Sequence, residues 1–107
     1  MSEKTTTVLV VLRDDAHALT RLLAVCHRRG WTPVSLRSVS DGTRCEVTMR
    51  LGVPGDRRGT ASQVERQLAR LVDVERVAVD AAEGLPDDVA FAAVRRKSGW
   101  PAAAVLS

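Results

Sequence analysis

The chain has 107 residues, 45% of them hydrophobic, and a formal net charge of +3. That length and composition suit one domain with a single modest core. They argue against a membrane-spanning helix, because no apolar run approaches the ~20 residues that a bilayer requires, and the first residues lack an apolar signal core. Basic and acidic residues alternate and form no basic tail, so nucleic-acid binding is not indicated. We therefore expect a cytoplasmic protein that binds neither membranes nor nucleic acid.

A strand and a helix open the chain. Thr5 to Leu12 is rich in β-branched residues, which is typical of a strand buried on at least one face. Ala18 to Arg29 repeats apolar residues at helical spacing, and Gly30 supplies the left-handed residue that ends many helices. Asp14 or Asp15 is expected to cap this helix with its carboxylate. The loop between strand and helix also presents amide groups and a positive helix dipole to a small carboxylate ligand.

Two strands, a second helix and a fourth strand follow. Val34 to Val39 and Thr43 to Val53 are extended segments, and the Asp-Gly pair between them predicts a hairpin. Apolar and polar residues alternate in the second segment, which indicates a sheet with one covered face and one polar face. A capping box begins the second helix at Thr60, and Val74 to Asp80 forms the fourth strand.

This order of elements predicts an α+β, ferredoxin-like βαββαβ fold, in which two helices cover one face of an antiparallel sheet. We assign residues 5–80 to this domain. Residues 81–107 form a C-terminal tail, with a short helix over 87–96. The larger apolar residues of the tail are Phe91, Val94 and Trp100. They pack back on the domain, reach a partner or stay disordered, and the sequence leaves all three alternatives open.

Catalytic and metal-binding patterns are missing from the sequence. His17 and His27 have no cysteine or carboxylate at metal-ligand spacing, and Cys26 and Cys45 read as buried thiols. The chain also lacks a phosphate loop and a nucleophile elbow. An acylphosphatase pairs its loop arginine with an asparagine, which this sequence does not contain, and RNA-recognition domains carry aromatic residues on their central strands. We therefore predict no catalytic residue and no metal ligand.

Two segments resemble the ACT domain, a small amino-acid-sensing module. One runs from Leu12 to Leu36, LRDDAHALTRLLAVCHRRGWTPVSL, and is similar to the opening of an ACT domain. The other runs from Gln67 to Val79, QLARLVDVERVAV, and resembles the junction of second helix and last strand in the regulatory small subunits of acetolactate synthase (acetohydroxyacid synthase). The similarity is greatest to the isozyme II type of small subunit, which is a single short ACT domain.

The resemblance implies a regulatory subunit with no catalytic residues of its own. Such subunits form homodimers through ACT domains placed edge to edge, and they bind and activate the large catalytic subunit in branched-chain amino-acid biosynthesis. The large subunit holds thiamine diphosphate, magnesium and FAD, so no cofactor is expected in this chain. The alternative is a stand-alone ACT sensor that binds a small amino acid and regulates another enzyme or a transcription factor.

The resemblance also places an effector site. Valine-sensitive relatives hold the amino acid with an Asn-x-x-Gly loop and with an asparagine after an Arg-Gly-aromatic turn. The matching positions here are Asp14, His17 and Thr32, and all three depart from that pattern, which places valine inhibition in doubt. Ala18 and Leu19, in the first turn of the helix, complete the candidate effector site.

Four residues form the candidate partner interface. Trp31 follows the helix stop, where a large ring anchors the returning chain under the sheet or at a dimer edge. Arg37, Arg44 and Arg50 lie on the polar side of the predicted strands. In that position they are either solvated or orient a docked large subunit by charge pairing.

Overall fold

The computed structural model describes residues 4–13, 17–54, 60–81 and 84–100, which contain four strands and three helices. The elements are β1 (Lys4–Arg13), α1 (Ala18–Arg28), β2 (Thr32–Ser40), β3 (Arg44–Val53), α2 (Thr60–Ala69), β4 (Val74–Asp80) and α3 (Asp87–Ser98). The strands form one antiparallel sheet in the order β2-β3-β1-β4. The predicted ferredoxin-like βαββαβ fold is confirmed.

The main core lies between the sheet and helices α1 and α2. Every second residue of the central strands points to this side, since side chains alternate along a strand. The helices present apolar residues at a spacing of three or four positions, which places them on the facing side. The largest members of this core are Val8, Val10, Leu12, Leu22, Cys26, Val47, Met49, Leu51, Val64 and Leu68.

The third helix covers the opposite face of the sheet. Leu9 of β1, Ala78 of β4 and Val94 of α3 form a second, smaller core cluster, and Trp100 packs against it. Phe91 is also buried. The apolar residues of the C-terminal segment therefore pack back on the sheet, so the face that alternation predicts to be polar is covered by a third layer.

The turn from α1 into β2 shows how the sequence ends a helix and redirects the chain. Gly30 has a φ of +77°, in the left-handed region that glycine tolerates best. The N–H of Trp31 donates to the carbonyl of Cys26 at 2.9 Å, and the N–H of Gly30 donates to that of His27 at 3.0 Å. This is the Schellman pattern, and it confirms Gly30 as the helix stop. The indole of Trp31 then packs in the main core.

Candidate effector and partner sites

The candidate effector loop leads from the end of β1 to the start of α1. His17 occupies the N-cap of α1, is exposed, and makes no side-chain capping hydrogen bond; the first turn carries no acidic residue. The helix begins at Ala18 and its N-cap position is His17, so a cap from Asp14 or Asp15 stays a prediction. Both aspartates lie outside the described residues. An exposed helix start of this kind favours a carboxylate through its first amide groups and its dipole.

The first residues of α1 turn their side chains away from solvent. Ala18 is buried in the main core, and Leu19 is half-buried and packs against it. Because these two side chains pack in or against the main core, Ala18 and Leu19 can contact a ligand at the helix start only through their backbone groups.

Thr32 lies at the other end of α1 from His17. The helix has 11 residues, which corresponds to a length of about 16 Å. Strands β1 and β2 both pair antiparallel with β3 and are therefore parallel to each other. Thr32 faces Gly52 of β3, which in turn faces Thr5 at the start of β1, whereas the effector loop follows the end of β1. Within one protomer the structure does not bring His17 and Thr32 together.

Strand β2 is an edge of the sheet with an exposed apolar surface. No residue of the strand is buried. Val34 is 61% exposed and Leu36 is 39% exposed. Exposed apolar edge strands readily pair with another strand, because their outer backbone groups are not used by the sheet.

Two of the candidate partner-interface residues, Trp31 and Arg44, contact residues outside the third helix. Trp31 is 8% exposed and belongs to the main core, so most of its ring is not accessible to a partner. Arg44 donates from Nε to a carboxylate oxygen of Glu75 at 2.8 Å. That hydrogen bond and the negative charge of Glu75 raise the pKa of Arg44, which is a permanent cation at the exposed end of β3.

The other two interface candidates contact the third helix or the segment that leads into it. The guanidinium of Arg37 lies 5.4 Å from the ring centre of Phe91. Arg50 donates to the carbonyl of Leu85 at 2.6 Å and to Asp87 at 3.0 Å, and its side chain is only 13% exposed. Glu46, on the same face of the sheet, pairs with Arg95 of α3. The sequence missed this arrangement, although the unbroken apolar run of β1 is the signal of a strand buried on both faces.

Comparison with known proteins decides the family. The family model for the ACT domain matches residues 14–77, more than half of the chain. The chain belongs to the ACT domain family. No curated protein matches the sequence significantly. Membership in this family suggests a regulatory, amino-acid-binding role, because ACT domains are regulatory modules.

Among solved structures, a domain from Mycobacterium tuberculosis has a similar fold. The solution structure of the C-terminal domain of the MgtC protein from Mycobacterium tuberculosis matches with a TM-score of 0.59 and 17% sequence identity. The match covers 79% of this chain and 94% of that domain. At this level of identity the similarity concerns the fold alone.

The described part of the chain contains neither a metal-binding cluster nor a membrane-spanning helix. Among residues 4–13, 17–54, 60–81 and 84–100, no group of three or more histidine, cysteine or acidic side chains could hold a metal ion. Within the same ranges, no helix is long and apolar enough to cross a membrane.

Proposed function

We propose that this ACT domain is a non-catalytic, cytoplasmic regulatory subunit that binds and activates the catalytic subunit of acetolactate synthase. Thiamine diphosphate, magnesium and FAD would then be held by the catalytic subunit, which carries out a step of branched-chain amino-acid biosynthesis. The observation that carries the proposal is the similarity of two segments, Leu12–Leu36 and Gln67–Val79, to that type of small subunit. In the fold they form the β1–α1–β2 connection and the α2–β4 junction of one ACT domain.

The exposed edge of β2 supports a homodimer. If two copies pair their β2 strands antiparallel about a twofold axis near Leu36, the exposed side chains of Val34 and Leu36 are covered and the two sheets become continuous. The same pairing places Thr32 of the partner subunit beside Ser40. Ser40 faces Cys45 of β3, which faces Leu12 near the end of β1.

The effector site in this dimer is shared between two protomers. The loop that contains Asp14 and His17, and the start of α1 at Ala18 and Leu19, come from one protomer, and Thr32 comes from its partner. The helix start would receive the carboxylate of a small amino acid through its amide groups. Because the side chains at all three motif positions differ from those of valine-sensitive relatives, an effector other than valine is expected.

A second candidate function is a stand-alone ACT sensor that regulates another enzyme or a transcription factor. The position of α3 favours it, because the helix covers the sheet face that holds Arg37 and Arg50. These arginines, which the sequence offers as contacts for a large subunit, are engaged within their own chain. A sensor that signals through its dimer or its effector needs no free sheet face.

Reconstitution separates the two functions. The purified chain is added to the acetolactate synthase catalytic subunit from the same organism, and the rate of acetolactate formation is measured. We expect a several-fold increase that saturates with added chain, since activation requires preferential binding to the active conformation. The matched control is a different thiamine-diphosphate enzyme, which should not respond. An unchanged rate and no co-purification would contradict the acetolactate synthase assignment.

The effector is tested by thermal shift with each of the twenty amino acids. A ligand at a hundred times its Kd should stabilise the folded dimer by about 2.7 kcal/mol. For any amino acid that binds, we expect His17→Ala and Thr32→Arg each to weaken binding. A mixture of the two variants should regain binding, because a mixed dimer contains one unaltered site. Binding that never recovers in the mixture would contradict a shared site.

A further inference from the structure

A groove runs along the outer surface of the helix layer, on the side of the molecule away from α3. It lies between α1 and the segment where α2 ends and the chain turns into β4. Two adjoining cavities of about 260 and 340 Å³ share Val25, Arg28 and Leu71 and therefore form one continuous groove. It is distinct from the proposed dimer edge, which lies on β2.

The floor and one lip of the groove are apolar. Leu22 and Val25 of α1 form the floor together with Leu71. Val72, at the turn into β4, is 84% exposed and is the most exposed of the large apolar residues in the described part of the chain. The proposed dimer covers Val34 and Leu36 at the β2 edge, but it leaves Val72 exposed.

The rim of the groove is strongly basic. Arg28 and Arg29 at the C-terminal end of α1 and Arg70, directly after α2, line the groove, and in the described part of the chain these three arginines make no ion pair. Asp73 is the one carboxylate among the described residues that line the groove, and it already pairs with Arg21 at 2.6 Å. The rim therefore carries an excess of positive charge next to an uncovered apolar strip.

We propose that this groove binds an amphipathic helix of a partner protein, one whose apolar stripe is flanked by aspartate or glutamate. The apolar floor can pack against the apolar stripe of such a helix. The arginines can pair with its carboxylates, since a guanidinium binds a carboxylate through two parallel hydrogen bonds. A nucleic-acid backbone would satisfy the arginines but would leave Leu71 and Val72 uncovered. The length of α1, about 16 Å, matches about three turns of a bound helix. This inference does not depend on the identity of the regulated enzyme.

A designed peptide provides the probe. It is a fluorescein-labelled peptide of about 20 residues, beyond the length at which isolated helices are marginal in water, with leucine on one face and glutamate on the other. We expect saturable binding by fluorescence anisotropy, and weaker binding as salt screens the arginines. Three other probes define the chemistry: the same peptide with lysine for glutamate, a glutamate-rich peptide without leucine, and a double-stranded DNA.

Surface variants locate the binding. We expect the double variant Arg28→Glu, Arg70→Glu to weaken peptide binding by about tenfold or more, and Val72→Asp to weaken it clearly as well. The matched controls are Arg96→Glu combined with Lys97→Glu, and Val89→Asp. These residues are exposed on α3, so their substitution should leave the affinity unchanged. Circular dichroism confirms that every variant is folded.

Several outcomes would overturn the proposal. One is no binding of the leucine-glutamate peptide, or binding that the groove variants do not weaken. Equal binding of the leucine-free peptide would show attraction by charge alone, and DNA binding that depends on Arg28 and Arg70 would assign the groove to nucleic acid. Equal binding of the lysine peptide would exclude a role for the arginines. Selective binding that is lost only in the groove variants supports the proposal.

Discussion

Burial sets the reactivity of the two thiols in this molecule. Cys26 is fully buried on the inner side of α1, among the aliphatic residues of the main core. This burial raises the pKa of its thiol from 9.0 to about 11, because the thiolate would lose its hydration there. Cys45, near the start of β3, is only half-buried. Since the thiolate is the reactive form, the two residues should respond very differently to thiol reagents.

We therefore predict that Ellman's reagent at about pH 8 modifies Cys45 in the folded protein much faster than Cys26. The variant Cys45→Ser isolates Cys26, which should react only as the protein unfolds, and Cys26→Ser isolates Cys45. In guanidinium chloride both variants should react at the same rate. Rapid modification of Cys45→Ser without denaturant would contradict the burial of Cys26.

The hairpin between β2 and β3 is held by one carboxylate. Asp41 accepts hydrogen bonds from the N–H groups of Arg44 at 2.8 Å and Thr43 at 2.9 Å, and from the hydroxyl of Thr43 at 2.9 Å. These hydrogen bonds, above all that from the Arg44 N–H, lower the pKa of Asp41 to about 2. A folded-state pKa below the unfolded value means that the ionised form stabilises the hairpin.

The expected consequence is a loss of hairpin stability under acid conditions. The contribution of Asp41 is complete above its unfolded pKa near 4 and is lost as the pH falls towards 2. In the variant Asp41→Asn this pH dependence should be smaller, and Tm at pH 5 should be lower than that of the unchanged protein. Thermal unfolding at pH 2, 3 and 5 measures both, with Glu65→Gln on α2 as the control. An identical Tm profile for Asp41→Asn and the unchanged protein would refute the role of this carboxylate.

Helix α3 contributes to stability by covering the second face of the sheet. We predict that Val94→Ala lowers the free energy of unfolding by about 2 kcal/mol, because Val94 is fully buried between α3 and β1. The matched control is Val89→Ala on the same helix, at a residue that is 42% exposed, with an expected change within about 0.5 kcal/mol. Urea denaturation measures both. Equal effects of the two substitutions would mean that α3 is not packed as described.

The strands and the first two helices could be predicted because their signals are local. The hairpin depends on the adjacent Asp41 and Gly42, and the end of α1 depends on Gly30. The cover over the second sheet face depends on residues far apart in sequence. From the sequence alone, Arg50 is expected to be solvated. Its contacts with Leu85 and Asp87 join residues far apart in the chain, and no local sequence pattern predicts them.

The candidate effector site was incomplete for a similar reason. The sequence resemblance groups His17 with Thr32, but the pairing register places Thr32 at the end of the sheet opposite to the effector loop. Only the register, which combines three strands, shows that one protomer cannot bring the two residues together. The second copy that the proposed effector site requires is therefore dictated by the strand register, not by either motif.

The last prediction concerns the assembly of two sheets. We expect the unchanged protein to sediment with twice the 11.6 kDa mass of one chain, and Val34→Asp to sediment as a monomer. In the proposed pairing of two β2 strands, the substitution removes the apolar contact of a side chain that is 61% exposed in one protomer and brings a charged carboxylate into the contact in its place. The control Val89→Asp introduces the same charge on α3, away from the edge, and should remain dimeric. If Val34→Asp remains a dimer, pairing through β2 is excluded. The proposed effector site shared between protomers would then be excluded as well.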